Sequence, residues 1–286
     1  FVNGKSSGFL TAYHVQSKQS TDIVSEDATQ PAISQDGKHV MYITFPAPET
    51  SELWVSNIDG SNKVKIATGK DLGTGNWAPD NFHLFFIDNG AKAGAKAYIV
   101  GADGSGLRQF PSMGGSFVTS TWSPDQKFVY VSVDEGGPLP TVWKWAMDGS
   151  NPERFVDHCC VVGYAHPGGQ YLIGAVWKGE KTGIYEVSIS DRKCSLLVPG
   201  VSTFITPFAP DGKSFLYAVA SRGEVAIYRQ PWKDGKTIGA PQVALKVPFA
   251  FPLENGGNAY DFSRDLSTIV YARPGGHADL YLLTQQ

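Results

Sequence analysis

The sequence predicts an all-β chain that folds as a β-propeller of four-stranded antiparallel blades, with six blades expected and seven as the alternative. Three observations predict this fold. A turn motif recurs at a nearly constant spacing, a second turn motif follows each early copy by roughly 20 residues, and the N-terminus carries a part-repeat that can close a ring. Repeats with a period in the forties are typical of propellers.

The first motif is a tight turn with Asp at its third position in five of six copies. The third positions are 36, 80, 125, 168, 211 and 265, so the spacing is 43 to 45 residues before a last step of 54. Pro presets φ, Asp accepts from nearby N–H groups, and Gly or Asn tolerates positive φ. Alternating apolar segments flank the turns and predict strands a and b, so we expect a structural role for each Asp. The copies are Ser34-Gln35-Asp36-Gly37-Lys38, Ala78-Pro79-Asp80-Asn81, Ser123-Pro124-Asp125-Gln126-Lys127, His166-Pro167-Gly168-Gly169-Gln170, Ala209-Pro210-Asp211-Gly212-Lys213 and Ser263-Arg264-Asp265-Leu266-Ser267.

The second motif is Asp-Gly-Ser after an alternating strand, at positions 59–61, 103–105 and 148–150. Asp-Gly between strands is a strong hairpin signal, so this motif predicts strand c turning into the outer strand d. Degenerate strands c follow at 183–187, 226–230 and 279–283.

The chain ends predict how the ring closes. The last repeat stops after its strand c, and the N-terminus offers a segment resembling strand c at 9–15 and an outer strand at 21–24. We expect an N-terminal outer strand to complete the blade begun at the C-terminus, because closure removes an open sheet edge. The predicted organisation is a single domain over 1–286, with the part-repeat at 1–27 and six repeats at 28–286.

Composition excludes several classes of function. The net charge of −3, without a long basic run, argues against binding to nucleic acid or to an anionic membrane surface. No run of 18 apolar residues and no signal peptide occur in this sequence. Because the chain starts at Phe1 without Met, we expect a monomeric domain from a larger protein.

The Ser/Ala-Pro-Asp-Gly-Lys turn, followed by Leu53-Trp54 and Asp-Gly-Ser, resembles the WD-like repeat of TolB-type propellers over about residues 28–286. A narrower resemblance covers Pro248-Phe249-Ala250-Phe251-Pro252, Asn258-Ala259-Tyr260-Asp261-Phe262-Ser263-Arg264-Asp265 and Tyr271-Ala272-Arg273-Pro274-Gly275-Gly276. These segments look like the propellers of bacterial transmembrane serine/threonine protein kinases. That resemblance implies an extracytoplasmic, periplasmic sensor or docking module.

A search for catalytic motifs gives no candidate. The sequence has no His-Glu-x-x-His and no kinase phosphate loop or Asp-Phe-Gly, and Gly-x-Ser-x-Gly occurs once, at residues 4–8 outside the repeats. We therefore predict no enzyme, no cofactor and no metal, with His158 and His166 beside the cysteines as a minor zinc alternative. Cys159 and Cys160 should point to opposite faces of a strand. We expect inert, partly buried thiols, with a bridge from Cys194 to one of them as the alternative.

The candidate binding site is the face that carries the b–c loops, because functional residues concentrate on variable loops. The segment 246–257 is too apolar for an idle loop, and it either plugs the propeller or offers an apolar patch to a partner. The predicted binding residues are Asp88, Asp134, Glu135, Trp177, Arg222, Phe249, Phe251, Arg273 and His277.

These observations favour a sensor or docking propeller that binds a protein partner or a small ligand at the loop face. An enzyme with its site at the channel mouth, of lactonase, lyase or glycosidase type, is the alternative. A structural domain of a larger peptidase or kinase is the third possibility. Three convergent acids, or an acid with a His, at the channel mouth would favour the enzyme.

Overall fold

The computed structural model describes residues 8–90, 95–111, 114–176, 179–203, 205–221, 224–247 and 259–274. Within these ranges all regular elements are strands, and none forms an apolar helix of membrane-spanning length. The first thirteen strands are β1 (Gly8–His14), β2 (Gln19–Ile33), β3 (His39–Ala47), β4 (Thr50–Asn57), β5 (Val64–Gly69), β6 (Leu72–Trp77), β7 (His83–Asp88), β8 (Lys96–Gly101), β9 (Arg108–Gln109), β10 (Ser116–Trp122), β11 (Phe128–Asp134), β12 (Thr141–Ala146) and β13 (Glu153–Val156). The other ten are β14 (Val161–Ala165), β15 (Tyr171–Val176), β16 (Gly183–Ser188), β17 (Cys194–Pro199), β18 (Ser214–Ser221), β19 (Glu224–Lys233), β20 (Lys236–Thr237), β21 (Gln242–Val247), β22 (Tyr260–Phe262) and β23 (Thr268–Pro274).

The described strands form six antiparallel blades, which confirms the predicted fold class. The second, third and fourth blades are the regular sheets β6–β9, β10–β13 and β14–β17. The first and sixth blades merge into one seven-stranded sheet, because the long strand β2 belongs to both. In this strand, the part around Val24 pairs with β1 and the part around Ala32 pairs with β3.

The fifth blade departs from the regular pattern. Its strands β18, β19 and β21 pair in order, and the short β20 extends the end of β19 into an extra hairpin. The inner segment is irregular: Phe208 forms an isolated bridge to Phe215, and the Leu216 N–H donates to the Pro207 carbonyl at 2.9 Å. The period of the sequence predicted this blade but not its irregular inner edge.

Closure uses two N-terminal strands rather than one. Strand β1 pairs with β23 along its whole length, from Gly8 opposite Pro274 to His14 opposite Thr268, and β2 lies outside β1. The place beside β23 that we assigned to residues 279–283 is therefore filled by β1. Those C-terminal residues lie outside the described part of the chain. The N-terminal segment thus supplies both strand c and strand d of the sixth blade.

Apolar cores lie between neighbouring blades. Six clusters of buried side chains occur among the described residues, and each joins one blade to the next. At the closing seam, Leu10 and Val270 of the sixth blade pack with Val40 and Tyr42 of the first, all of them 1% exposed or less. Since each interface buries large apolar side chains, hydrophobic burial holds the ring together. Six continuous interfaces agree with six blades.

The a–b turns have the predicted capping geometry. In the third blade, Asp125 accepts from the Ser123 hydroxyl at 2.7 Å and from the Lys127 N–H at 3.1 Å. These two hydrogen bonds hold the pKa of Asp125 below its usual value. Asp211 and Asp265 likewise accept from the N–H two residues further along the chain. The predicted capping of backbone N–H groups by these carboxylates is confirmed.

The fourth turn lacks Asp, and a histidine provides the acceptor instead. The Gly168 N–H donates to Nδ1 of His166 at 2.9 Å, and Nε2 of the same ring lies 3.1 Å from the Gly212 carbonyl. Because Nδ1 accepts, Nε2 is the ring nitrogen placed to donate to the Gly212 carbonyl. His166 therefore completes its own turn and links the fourth blade to the fifth.

The cysteines correct our expectation of three free thiols and confirm the alternative, a bridge from Cys194 to one of the adjacent pair. Cys159 and Cys194 form a disulfide between the segment that precedes β14 and the outer strand β17. We expected Cys159 and Cys160 on a strand, but they lie in a connecting segment, and His158 before them has φ +50°. Strand alternation therefore does not apply. Cys160 is a buried free thiol, and burial raises its pKa.

Candidate functional site

The repeats place one residue of each inner segment at an equivalent position around the channel, two residues before the a–b turn. This position varies far more than its neighbours in the turn. The six residues are Ala32, Asn76, Thr121, Tyr164, Pro207 and Asp261. Five of them line a common cavity, and Ala32 lines a smaller space next to it.

The cavity occupies the end of the channel that carries the a–b turns, which we call the turn end. Its volume is about 190 Å³, and its rim includes the turn residues Gln35, Pro79 and Arg264. An apolar cavity of about 150 Å³ holds one benzene molecule, so this space can take a group of similar size. A smaller space of about 20 Å³ continues inward past Tyr164 and Asp261.

Two tryptophans form the apolar part of the wall and hold neighbouring blades in register. The Trp77 indole N–H donates to the Ala32 carbonyl at 2.7 Å, and that of Trp122 donates to the Asn76 carbonyl at 3.0 Å. Asn76 itself donates to the carbonyls of Ser120 and Gly163. Because the indole N–H groups and the Asn76 amide already donate hydrogen bonds within the protein, the wall is rigid and largely preformed.

Asp261 is the acid of the cavity and also a link across the closing seam. Its Oδ2 accepts from the Ile33 N–H of the first blade at 2.7 Å, and its Oδ1 accepts from the Phe262 N–H at 2.8 Å. The side chain is 8% exposed, and this burial raises its pKa to about 7 despite the two hydrogen bonds. Both carboxyl oxygens are thus engaged by backbone groups.

Arg264 and Tyr164 bring further polar groups to the same space. Arg264 is half-buried, and burial lowers the pKa of its guanidinium, while the nearby Tyr164 and Asp261 oppose that shift. No hydrogen bond or ion pair joins Arg264 to another residue in the described ranges. Burial also raises the pKa of Tyr164 well above its usual value, so its phenol stays protonated.

The predicted site residues at the b–c loops, the loop end of the channel, are engaged in local contacts where the structure describes them. Asp88 and Asp134 each accept from the N–H two residues later at 3.0 and 2.9 Å. Nη2 of Arg154 lies 2.9 Å from Oε2 of Glu135. Nη2 of Arg273 lies 3.2 Å from each carboxylate oxygen of Asp22. The structure does not join Glu135 to Arg273. Trp177, Arg222, Phe249, Phe251 and His277 lie outside the described residues, as does the segment 248–258.

Sequence reasoning missed the cavity at the turn end. We treated the turns as purely structural and searched the loops that break the repeat. The six repeats contain a signal for this cavity. The position two residues before each turn carries a different residue in every repeat: Ala, Asn, Thr, Tyr, Pro and Asp in succession. Reading the repeats at this position would have placed Tyr164 and Asp261 together at the channel.

One group of candidate metal ligands occurs in the described part of the chain, but a disulfide uses two of its three sulfurs. Among the described residues, three cysteines form a group of His, Cys, Asp or Glu side chains close enough to hold an ion. Two of these sulfurs, on Cys159 and Cys194, are joined in the disulfide. The cavity has a single acid, Asp261, among its lining residues and no histidine.

Comparison with solved structures identifies the fold as a TolB-like β-propeller. A putative TolB from Agrobacterium tumefaciens matches with a TM-score of 0.66 at 15% identity, covering 93% of this chain and 98% of that one. TolB from Acinetobacter baumannii matches with 0.59 at 14% identity, over 80% and 65% of the two chains. An oligogalacturonate lyase from Vibrio parahaemolyticus gives 0.54 at 16% identity, over 78% and 71%. At these identities the likeness concerns the fold alone.

Sequence comparison gives a likeness to part of the chain. No family model matches the chain. An uncharacterized peptidase, YuxL, from Bacillus subtilis is 27% identical over 140 residues, which are 46% of this chain and 21% of that protein. The match thus spans about a fifth of the curated relative's length.

Proposed function

We propose that this protein is a non-enzymatic binding propeller whose site is the cavity at the turn end of the channel. The observation that carries this proposal is a preformed space of about 190 Å³ that combines indole walls with the polar groups of Tyr164, Asp261 and Arg264. Concave sites with apolar walls and a few convergent polar groups are typical of ligand pockets. The occupant is a small ligand or the end of a protein partner's chain.

The chemistry of the cavity favours binding over catalysis. General acid–base catalysis needs a group that can reach the substrate and exchange a proton. Asp261 is the one acid in the lining, and both its oxygens already accept from backbone N–H groups. Neither a second acid nor a histidine stands beside it among the lining residues. These features support binding rather than catalysis at the turn end.

A variant that fills the cavity tests the proposal. Thr121→Trp places a large side chain at one of the equivalent ring positions, and Arg273→Gln alters the opposite, loop end as a matched control. We expect ligand-observed NMR with a panel of compounds of about ten non-hydrogen atoms and short peptides to detect binders to the wild type and to Arg273→Gln. Thr121→Trp should lose them. Binders that survive in Thr121→Trp but are lost in Arg273→Gln, or no binders to the wild type, would overturn the proposal.

An enzyme at the channel mouth is the second candidate. One observation favours it: Asp261 has a pKa raised to about 7, which is a value suited to proton transfer near neutral pH. The likeness to an oligogalacturonate lyase supplies a substrate to try. Turnover of oligogalacturonate, followed by the absorbance of an unsaturated product and lost in Asp261→Asn, would establish this candidate over the binding proposal.

We also propose that the propeller works outside the cytoplasm, as a TolB-like interaction protein or as the sensor domain of a serine/threonine kinase. The disulfide between Cys159 and Cys194 supports this location, because such bonds persist in oxidising compartments. The open reading frame around Phe1 tests the kinase assignment. A kinase domain and a membrane span upstream would support it, and a different upstream neighbour would overturn it.

A further inference from the structure

Arg264 is an exception in the repeat. The second position of the other five a–b turns carries Gln35, Pro79, Pro124, Pro167 or Pro210. The turn itself therefore does not need a cation there, since its geometry comes from the residues on either side. In the sixth blade the guanidinium takes the place of a proline ring at the rim of the cavity.

The surroundings of Arg264 leave its donors available. Asp261 is near enough to influence the guanidinium, but it forms no ion pair with it, and its own oxygens are engaged by Ile33 and Phe262. A half-buried cation has lost part of its hydration, and that loss is compensated only when an acceptor binds it. The donors of Arg264 are thus suited to bind an anionic acceptor.

We propose that the cavity binds a carboxylate group, which Arg264 holds through paired N–H donors while Trp77 and Trp122 pack against the apolar part of the ligand. This inference rests on the proposed function and names its ligand class. A carboxylate is planar and singly charged, so it matches both the fork of one guanidinium and its single positive charge. A doubly charged phosphate would face one cation and the nearby Asp261, and the match would be poorer.

The volume of the cavity limits the size of the group that the carboxylate can carry. A volume of about 190 Å³ takes a group a little larger than benzene. Two sources of the same chemistry fit: a small aryl or alkyl acid that enters whole, or the C-terminal residue of a peptide whose remainder stays outside the open mouth. For both kinds of ligand, the carboxylate contacts Arg264, and the attached aryl group, alkyl group or C-terminal side chain lies between the indole rings.

Pairs of probes that differ only in the charged group test this inference. The small pair is 3-phenylpropanoate and 3-phenylpropanamide, and the peptide pair is Gly-Ala-Phe with a free or an amidated C-terminus. We expect the acid of at least one pair to bind wild-type protein at least tenfold more tightly than its amide in isothermal titration. The pair that shows the preference identifies the source of the carboxylate.

Three variants locate the preference on Arg264. Arg264→Gln introduces the residue that the first blade carries at this position, so the turn is expected to fold, and its melting temperature checks this. It should reduce the affinity for the acid to that for the amide, while Arg264→Lys keeps part of the preference. Arg108→Gln, at an exposed position on the outer strand β9, should keep all of it.

The failures of the two proposals are distinguishable. If acid and amide bind wild type equally, or Arg264→Gln keeps the preference, the carboxylate inference is wrong while the cavity remains the site. If no probe is affected by Thr121→Trp, the cavity itself is not the site and both proposals fall.

Discussion

At the scale of single residues, the carboxylates of the turns bind partners close in sequence, whereas the carboxylate of the channel binds a distant one. The capping of backbone N–H groups by Asp125 and Asp211 followed from the local sequence alone, because both partners lie two residues away. The role of Asp261 did not, because its partner Ile33 lies 228 residues away across the closing seam. Local chemistry was therefore predictable, and groups that converge from several blades were not.

Removal of a capping carboxylate should lower stability by a modest amount. Loss of such a cap costs about 0.5–2 kcal/mol, so we expect Asp125→Ala and Asp211→Ala each to lower the free energy of unfolding by that much. The sites lie in different blades, so the double variant should be additive within about 0.5 kcal/mol. Urea denaturation measures this, with the exposed Glu180→Ala as control. Losses equal to that of the control would show that the caps contribute nothing.

Asp261 should make stability depend on pH in a direction opposite to that of a paired surface carboxylate. Its pKa is 3.8 when unfolded and about 7 when folded, with Arg264, Tyr164 and Tyr260 as the charged or titratable groups around it. A folded pKa above the unfolded one stabilises the protein fully below about pH 4, and this contribution is lost as pH rises through about 7. The difference corresponds to about 4 kcal/mol.

The comparison of wild type with Asp261→Asn isolates this effect from the other carboxylates. Between pH 4.5 and 8, the unfolding free energy of the wild type should fall relative to that of the variant, in which residue 261 does not titrate. Parallel pH profiles in chemical denaturation would show that burial does not raise the pKa of Asp261.

At the scale of elements, the period of the turns predicted each blade, whereas departures from the period were invisible. The extra hairpin at β20, the irregular inner segment of the fifth blade and the placement of β1 beside β23 all depend on contacts between distant segments. The disulfide was expected only as the alternative for a related reason, since Cys159 was assigned to a strand that the structure does not contain. Sequence periodicity predicts only the features that all repeats share, whereas each of these features occurs in a single blade.

The disulfide should stabilise the fourth blade measurably. Its cysteines are 35 residues apart, and loops of this length give about 3–4 kcal/mol in the chain-entropy treatment. We expect a reductant to lower the melting temperature of the wild type to about that of Cys194→Ser, which should itself be insensitive to reductant. Equal melting curves for oxidised and reduced wild type would contradict this role.

At the scale of the whole molecule, ring closure depends on the N-terminal strands. Deletion of residues 1–26 removes β1 and most of the part of β2 that pairs with it, and it exposes the hydrogen-bonding edge of β23. Unpaired edges promote association, so we expect aggregation or a large drop in melting temperature. A deletion of residues 1–7 is the control. A monomeric, equally stable chain lacking residues 1–26 would show that these strands are dispensable.

The ring also explains why the proposed site lies at the turn end. Each blade contributes one variable position there, and the six positions converge only when the ring closes, with Asp261 and Ile33 meeting at the seam. The predicted residues of the loop end stay a prediction, but the described ones, such as Glu135 and Arg273, have partners of their own. The two ends of the channel are thus chemically different.

The most direct test is to map the binding of 3-phenylpropanoate by NMR. We expect chemical-shift changes at the Ile33 methyls and at the indole signals of Trp77 and Trp122, which line the turn end. The methyls of Ile87 and Val133, which lie next to the loop end, should not change. Changes confined to Ile87 and Val133, or no changes at all, would contradict a binding site at the turn end of the channel.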